Sequence, residues 1–189
     1  KKFLRAGTVY FALIGLGFMF VEITLMQMMS MFLGHPVYGL GLVLFSMILS
    51  SGIGSFISEG FPLNTQKRLI VWSMAVMVYI ALLAASVTPL METFIEEGFA
   101  VRAAVCLLLI FPCGIMMGFA FPTGMKLTDK VSDRLTPWFW GINGAMGVVA
   151  SAVAMVISIG LGLPFTLLAG ALCYGLLAIP SLQLLKKSK

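Results

Sequence analysis

Residues Thr8–Leu33 read TVYFALIGLGFMFVEITLMQMMSMFL, a run of 26 residues in which Glu22 carries the only charge. A helix rises about 1.5 Å per residue, so this run would be about 39 Å long, which exceeds the ~30 Å hydrocarbon core of a bilayer. The run is too long for the apolar core of a signal peptide, and no small-residue cleavage site follows it. It therefore predicts a retained transmembrane helix.

Five more apolar runs follow, separated by turn residues or charged connectors. The six predicted spans are Thr8–Leu33, Val37–Ile57, Leu69–Val87, Ala100–Phe121, Trp138–Gly160 and Pro164–Leu185. The third is expected to stop near Pro89, and the fourth to kink at Pro112 unless a neighbour compensates. Thr123–Leu135 is expected to be a charged loop. The prediction is one domain over residues 1–189, an all-α bundle of six transmembrane helices.

The overall composition favours lipid as the solvent. The chain has 60% hydrophobic and 10% charged residues, with a mean hydropathy of +1.07. About a quarter of the residues in a soluble domain are charged, and a soluble fold of this length could not bury so much apolar surface. The net charge of +5 is therefore expected to orient the chain and to contact anionic head groups, and no nucleic-acid partner is predicted.

Basic residues fall almost entirely on one side of the predicted spans. Cytoplasmic loops are the loops that hold Lys and Arg, so both termini are predicted to be cytoplasmic, in a multi-pass protein of a bacterial inner membrane. Arg102 alone lies on the other side, near Glu92, Glu96 and Glu97. The eleven residues of the basic side are Lys1, Lys2, Arg5, Lys67, Arg68, Lys126, Lys130, Arg134, Lys186, Lys187 and Lys189.

Glu22 is the main candidate for a functional residue. It lies midway along the first span, where a carboxylate costs several kcal/mol unless it faces the bundle interior or a wet cavity. No Lys or Arg is predicted at the same depth. One interpretation is a residue that binds a proton, a cation or a substrate. The other is a protonated Glu22 that donates one hydrogen bond between helices.

His35 and Asn143 are secondary candidates. His35 precedes Pro36 at a predicted turn, and with no second histidine or carboxylate nearby it is more typical of a residue that caps a helix end than of a metal ligand. Asn143 follows Trp138 and Trp140, a pair typical of an interfacial anchor. Asn143 could join two helices or contact a substrate, and packing is the favoured interpretation.

Small residues mark the expected helix contacts. Gly114 and Gly118 form a GxxxG pattern, which permits close approach of two helices. Gly147 and Ser151 belong to a narrow small-residue face of the fifth span, for which tight packing is favoured over a pore-lining role. The members of that face are Asn143, Gly147, Ser151, Ala154 and Ser158.

No metal site, cofactor or catalytic residue is predicted. The three cysteines lie inside spans without a CxxC pair, so they are expected to be packing residues. Four methionines precede His35, and thioethers suit Cu(I), but helical spacing spreads them around the cylinder. These methionines are Met26, Met28, Met29 and Met31.

Several strings resemble a known family. They are YFALIGLGFMFVE at Tyr10–Glu22, FLGHPVYGL at Phe32–Leu40, FPTG at Phe121–Gly124 and PWFWGINGAMGVVAS at Pro137–Ser151. Together they are similar to the membrane segment of bacterial proteins described as fused major-facilitator-like/spermidine-synthase-like. The resemblance implies a membrane module, comparable with half of a major-facilitator bundle, that accompanies a soluble domain similar to aminopropyltransferases.

Two functions follow as expectations. The acidic residues and glycine loop of aminopropyl transfer are absent, so this chain is expected to be a non-catalytic membrane module that anchors or completes a larger assembly. Its partners would be a soluble domain, other subunits or a second copy. The alternative is a transporter-like carrier of a small cation or polyamine that uses Glu22. A membrane enzyme is less favoured, since Glu22 and His35 lie at different depths.

Overall fold

The computed structural model describes residues 2–129 and 133–186. This part of the chain is almost entirely helical and contains no strand. The helices are α1 Lys2–Leu33, α2 Pro36–Gly60, α3 Gln66–Phe94, α4 Phe99–Gly118, α5 Ala120–Asp129, α6 Thr136–Gly160, α7 Leu163–Leu176 and α8 Ala178–Leu185, with a 3₁₀ turn at Asp133–Leu135 before α6.

Six helical segments are long and apolar enough to cross a membrane. Four of them are α1, α2, α3 and α6. The other two combine neighbouring helices, α4 with α5 over Phe99–Thr128 and α7 with α8 over Leu163–Leu185. The predicted fold class, an all-α bundle of six membrane-length helices, is confirmed.

The prediction that the third span stops near Pro89 is wrong, because α3 continues to Phe94. Proline removes one backbone hydrogen bond, but a helix can continue beyond it when the residues that follow the proline are well packed. Met91 and Phe94 both pack on the core, and the Thr93 hydroxyl donates to the Pro89 carbonyl at 2.8 Å. These contacts hold the last turn in helical form beyond the proline.

Two spans are interrupted three residues before a proline, at Phe119 and at Leu177. The kink at Pro112 stays a prediction, since α4 runs through Pro112, whereas the interruption of this span lies at Phe119. The other break is at Leu177. Pro122 and Pro180 are the third residues of α5 and α8. Backbone N–H groups of a first helical turn have no partner within the helix, so proline there loses no hydrogen bond.

The expected charged loop Thr123–Leu135 is also corrected. Its first part, through Asp129, belongs to helix α5, and Asp133–Leu135 forms a 3₁₀ turn. Since Pro122 lies in the first turn of α5, the chain can restart a helix directly after the break. The middle of this connector, including Lys130, lies outside the described residues.

Helix α1 occupies the centre of the bundle. It contacts α2, α6 and α7 along its length, whereas α2 pairs with α4 and α3 pairs with α7. Large side chains of α1 such as Tyr10, Phe11 and Phe32 are fully buried. The helices joined by short connections, α1 with α2 and α6 with α7, are in contact, although α6 packs mainly on α1 and exposes much of its own surface.

Side-chain donors join the helices mainly through backbone carbonyls. Trp72 of α3, for example, donates to the carbonyl of Met116 on α4 at 3.0 Å. The Tyr79 hydroxyl donates to the Leu109 carbonyl of α4, also at 3.0 Å, close to Pro112. Seven side chains in the described part make such a bond to another helix: Tyr10, Trp72, Ser73, Tyr79, Arg102, Lys126 and Asn143.

The described basic connectors lie at one end of the bundle, here called the basic end. Lys126 of α5 donates to the carbonyl of Ser58 at the end of α2 at 3.3 Å. At the opposite end Arg102 donates to the carbonyl of Phe32 at 2.9 Å. Arg102 and Lys126 therefore lie at opposite ends, in agreement with the alternation of six spans. The orientation relative to a membrane stays a prediction, and Lys1, Lys130, Lys187 and Lys189 lie outside the described residues.

Candidate functional site

Glu22 lies in the second half of α1, the central helix of the bundle. Its side chain is only 6% exposed. No hydrogen bond or ion pair joins its carboxyl group to another residue in the described part of the chain. The neighbouring Thr24 hydroxyl donates to the Phe20 carbonyl of its own helix at 2.6 Å, so it is not a partner. An acidic group is therefore held at mid-depth without a protein partner.

A cleft of about 620 Å³ lies next to this position. Its walls come from α1, α2, the junction of α4 with α5, and α6. They are mostly apolar, and the polar lining side chains are Ser51, Ser55, Asn143 and Ser151. The lining residues come from the halves of α2, α4–α5 and α6 nearer the basic end and from the middle of α1, so the cleft lies toward that end.

Helical geometry relates Glu22 to the cleft. Phe18 and Met19, which line the cleft, are four and three residues before Glu22 and so share a face of α1 with it. Side chains on a helix lean toward its N-terminus, which directs Glu22 toward the turn that carries Phe18 and Met19. Glu22 therefore lies one turn beyond the cleft residues of α1, on the side away from the basic end.

Asn143 and Gly147 set the contact between α6 and α1. The Asn143 amide donates to the Phe11 carbonyl at 3.1 Å. Gly15 of α1 lies so close to the backbone of Asn143 and Gly147 that a methyl group added there would overlap the Asn143 carbonyl. Asn143 thus joins two helices while it also lines the cleft. Ser151, two turns further along α6, lines the cleft and donates to its own helix at the Val148 carbonyl.

Gly114 and Gly118 set the contact between α4 and α2. A side chain at Gly114 would overlap Ser50, and one at Gly118 would overlap the backbone of Ser51. Gly54 on α2 faces the backbone of Ile115 in the same way. Glycine therefore allows close helix approach on this wall of the cleft, as the pattern of small residues in sequence indicates.

His35 lies at the opposite end from the basic connectors, away from Glu22. It is the N-cap residue of α2, and its Nδ1 accepts a hydrogen bond from the Val37 backbone at 3.3 Å. Its ring contacts Tyr38 with a centroid separation of 5.5 Å. The observed role is the capping role favoured by the sequence, and the structure does not bring His35 and Glu22 together.

Metal ligands do not converge in the described part of the chain, where no group of three or more His, Cys, Asp or Glu side chains is found. Cys106 lies 3.1 Å from the sulfur of Met29, and both are buried in the core. Met28 is buried as well, whereas Met31 is largely exposed. The methionines before His35 are thus distributed around α1.

Ser51 and Ser55 are cleft residues that the sequence reasoning did not single out. They belong to the run SSGIGS at residues 50–55, where small residues recur at the spacing of one helix face. This run was a usable signal, because small polar residues within an apolar span often mark a close contact or a cavity. Thr123, at another cavity discussed below, was also missed, and nothing in its local sequence distinguishes it.

The fold and the site define an integral-membrane helical bundle with an acidic residue beside an internal cleft. Comparisons of the chain with protein-family models, with curated proteins and with solved structures found no match. The resemblance to fused major-facilitator-like/spermidine-synthase-like proteins stays a prediction from the sequence.

Proposed function

We propose that this chain is a non-catalytic membrane module that completes a larger membrane assembly, with the cleft between α2 and α6 facing its partner. The observation that carries the proposal is the cleft itself, a gap of about 620 Å³ between helices whose wall includes Phe18 and Met19, one turn before Glu22. Lipid chains would fill such a gap poorly beside a carboxyl group, because they offer it no hydrogen bond. A protein partner could supply one.

The exposed surface beside the cleft supports the same proposal. Val148 on α6 and Ile48 on α2 both line the cleft and are largely exposed. The partner would be another membrane subunit, a second copy, or the membrane part of a protein with a soluble aminopropyltransferase-like domain, as the family resemblance implies. A bacterial inner membrane with both termini cytoplasmic is part of the same proposal.

Cross-linking from the rim of the cleft tests this assembly. Cysteine is introduced at Val148 or Ile48, or as a control at Leu82, which is similarly exposed on α3 and does not line the cleft. A bifunctional thiol reagent is applied to native membranes, and the adducts are identified by mass spectrometry. We expect one defined protein adduct from Val148 and Ile48 and none from Leu82. Unlinked chains at all three positions, or the same adducts from Leu82, would contradict the proposal.

An alternative function is favoured by one specific observation, the unpaired carboxyl group of Glu22 one turn from the cleft residues of α1. A carboxylate in that position attracts a cation or a protonated amine, since the described protein offers it no basic partner. The cleft would then be the entry path of a carrier for a small cation or polyamine, and a partner bundle would close it.

Uptake into proteoliposomes tests the carrier. Labelled spermidine should accumulate with the unmodified chain, and Glu22→Gln should abolish uptake because it removes the charge at nearly constant volume. Glu59→Gln serves as the control, since Glu59 is exposed at the end of α2. Unmodified chains no better than empty liposomes, or full activity of Glu22→Gln, would exclude this function.

A further inference from the structure

A second cavity lies at the basic end, separate from the cleft. It has a volume of about 440 Å³ and lies where the end of α2, the α2–α3 connector, α5 and the end of α8 meet. Its lining residues are Ser58, Pro62, Leu63, Asn64, Thr123, Lys126, Leu127 and Leu185. One part of the wall is apolar and the other carries hydroxyl, amide and ammonium groups.

Thr123 is a buried residue of this cavity wall whose hydroxyl makes no hydrogen bond to the described protein. Nine serine and threonine side chains are buried in the described part of the chain, and the hydroxyl groups of eight of them make a hydrogen bond. Thr123 is 6% exposed and its hydroxyl makes none. The hydroxyl oxygen is not enclosed by protein, so it is open to the cavity, where a ligand atom or water can bond to it.

Charge at the rim defines the chemistry of that ligand. Lys126 is exposed and lines the cavity, with its ammonium group 3.3 Å from the Ser58 carbonyl. Arg68 holds the connector in place through the Pro62 carbonyl at 3.3 Å. Glu59, next to Ser58 in sequence, is exposed and does not line the cavity, and the side chain of Asp129 on α5 lies outside the described part. Among the described side chains, the rim carries a positive charge and therefore favours an anion.

The apolar wall selects among anions. Leu127 and Leu185 are buried beside the polar groups, and Leu63 is half-buried on the connector. An inorganic phosphate would leave this wall uncovered, whereas a phospholipid places its phosphate at the membrane surface and its acyl chains toward the hydrocarbon. We propose that this cavity binds the headgroup of an anionic phospholipid, with Lys126 and Thr123 on the phosphate and the leucines against the apolar part of the lipid.

Native mass spectrometry of the purified chain in detergent tests the site. The probes are phosphatidylglycerol and phosphatidylcholine with identical acyl chains. We expect phosphatidylglycerol to bind about tenfold more tightly, and Lys126→Gln to remove most of that preference. Thr123→Val should weaken phosphatidylglycerol binding by about three- to tenfold, whereas Thr123→Ser should retain it. Lys67→Gln, at the same end but outside the cavity wall, should leave binding unchanged.

Several outcomes would overturn the proposal. Equal binding of the two lipids would show no headgroup site. An equal loss in Lys67→Gln and Lys126→Gln would show diffuse attraction to the basic end, and unchanged binding in Thr123→Val would show water at that hydroxyl. Displacement of the lipid by millimolar inorganic phosphate would assign the site to a soluble phosphate. Melting temperatures without lipid should stay unchanged in Thr123→Val, and a rise on adding phosphatidylglycerol to the unmodified chain is expected from ligand linkage.

Discussion

Glu22 and Thr123 are buried residues whose polar groups have no hydrogen-bond partner in the described protein, and the hydroxyl of Tyr174 shares this property. Sequence reasoning could find Glu22, since a charge inside an apolar run is evident by itself. It could not find Thr123, because a threonine within a helix commonly bonds to a carbonyl of its own helix, as Thr128 does. Only the positions of neighbouring helices reveal which hydroxyl lacks a partner.

Tyr10 allows a test of one buried hydrogen bond between two helices. Its hydroxyl donates at 2.8 Å to the Ala120 carbonyl, beside the break between α4 and α5. Tyr10→Phe should lower the free energy of unfolding by about 0.5–2 kcal/mol, the range for hydrogen bonds between membrane helices. Thermal melting in detergent measures the change. Tyr38→Phe is the control, because Tyr38 is exposed and makes ring contacts only, and an equal effect in both variants would refute the assignment.

At the scale of the helices, the prolines show which helix ends and interruptions the sequence predicts and which it does not. The existence of six spans follows from apolar length, and most of their ends lie within a few residues of the predicted ones. The interruption at Phe119, three residues before Pro122, does not follow from the sequence. It depends on whether a new helix can begin just before the proline and pack, as α5 does against α1, α2 and α8.

Gly54 and Gly52 form a matched pair on α2. A methyl group at Gly54 would overlap the backbone of Ile115, whereas one at Gly52 would meet nothing within 4 Å. Gly54→Ala should therefore destabilise the bundle by about 1–3 kcal/mol through separation of α2 from α4. Gly52→Ala should be neutral or stabilising by up to about 1 kcal/mol, since alanine favours the helix. Thermal melting compares the two, and equal destabilisation would argue against close α2–α4 packing.

The whole molecule has one central helix, α1, and two ends that differ in the charge of their connectors. The sequence predicts the alternation of spans, because the charge of the connectors is visible without coordinates. The sequence does not predict that α1 is the central helix, since all six spans are similarly apolar. Contacts between helices depend on the shapes of their packed surfaces. The cleft cannot be predicted for the same reason, although the sequence marks Asn143 and Ser151 on its wall as members of one small-residue face.

Accessibility of introduced cysteines tests the two ends. The three native cysteines are buried and are first replaced by alanine. Cysteines at Lys67 and Arg134 should react with a membrane-impermeant maleimide from one side of sealed vesicles, and a cysteine at Glu96 should react from the other. The basic side should be the cytoplasmic one. Labelling of Glu96→Cys and Lys67→Cys from the same side would contradict the bundle topology.

The use of backbone carbonyls as acceptors between helices has a consequence for how the sequence can diverge. A carbonyl is present whatever amino acid occupies the position, so the bond from Trp72 survives any replacement of Met116 that preserves the helix. Each such link depends on the identity of one residue instead of two. Residues that contribute only a backbone carbonyl can therefore change more freely during evolution. Homologues should retain the donor side chains while the acceptor positions vary.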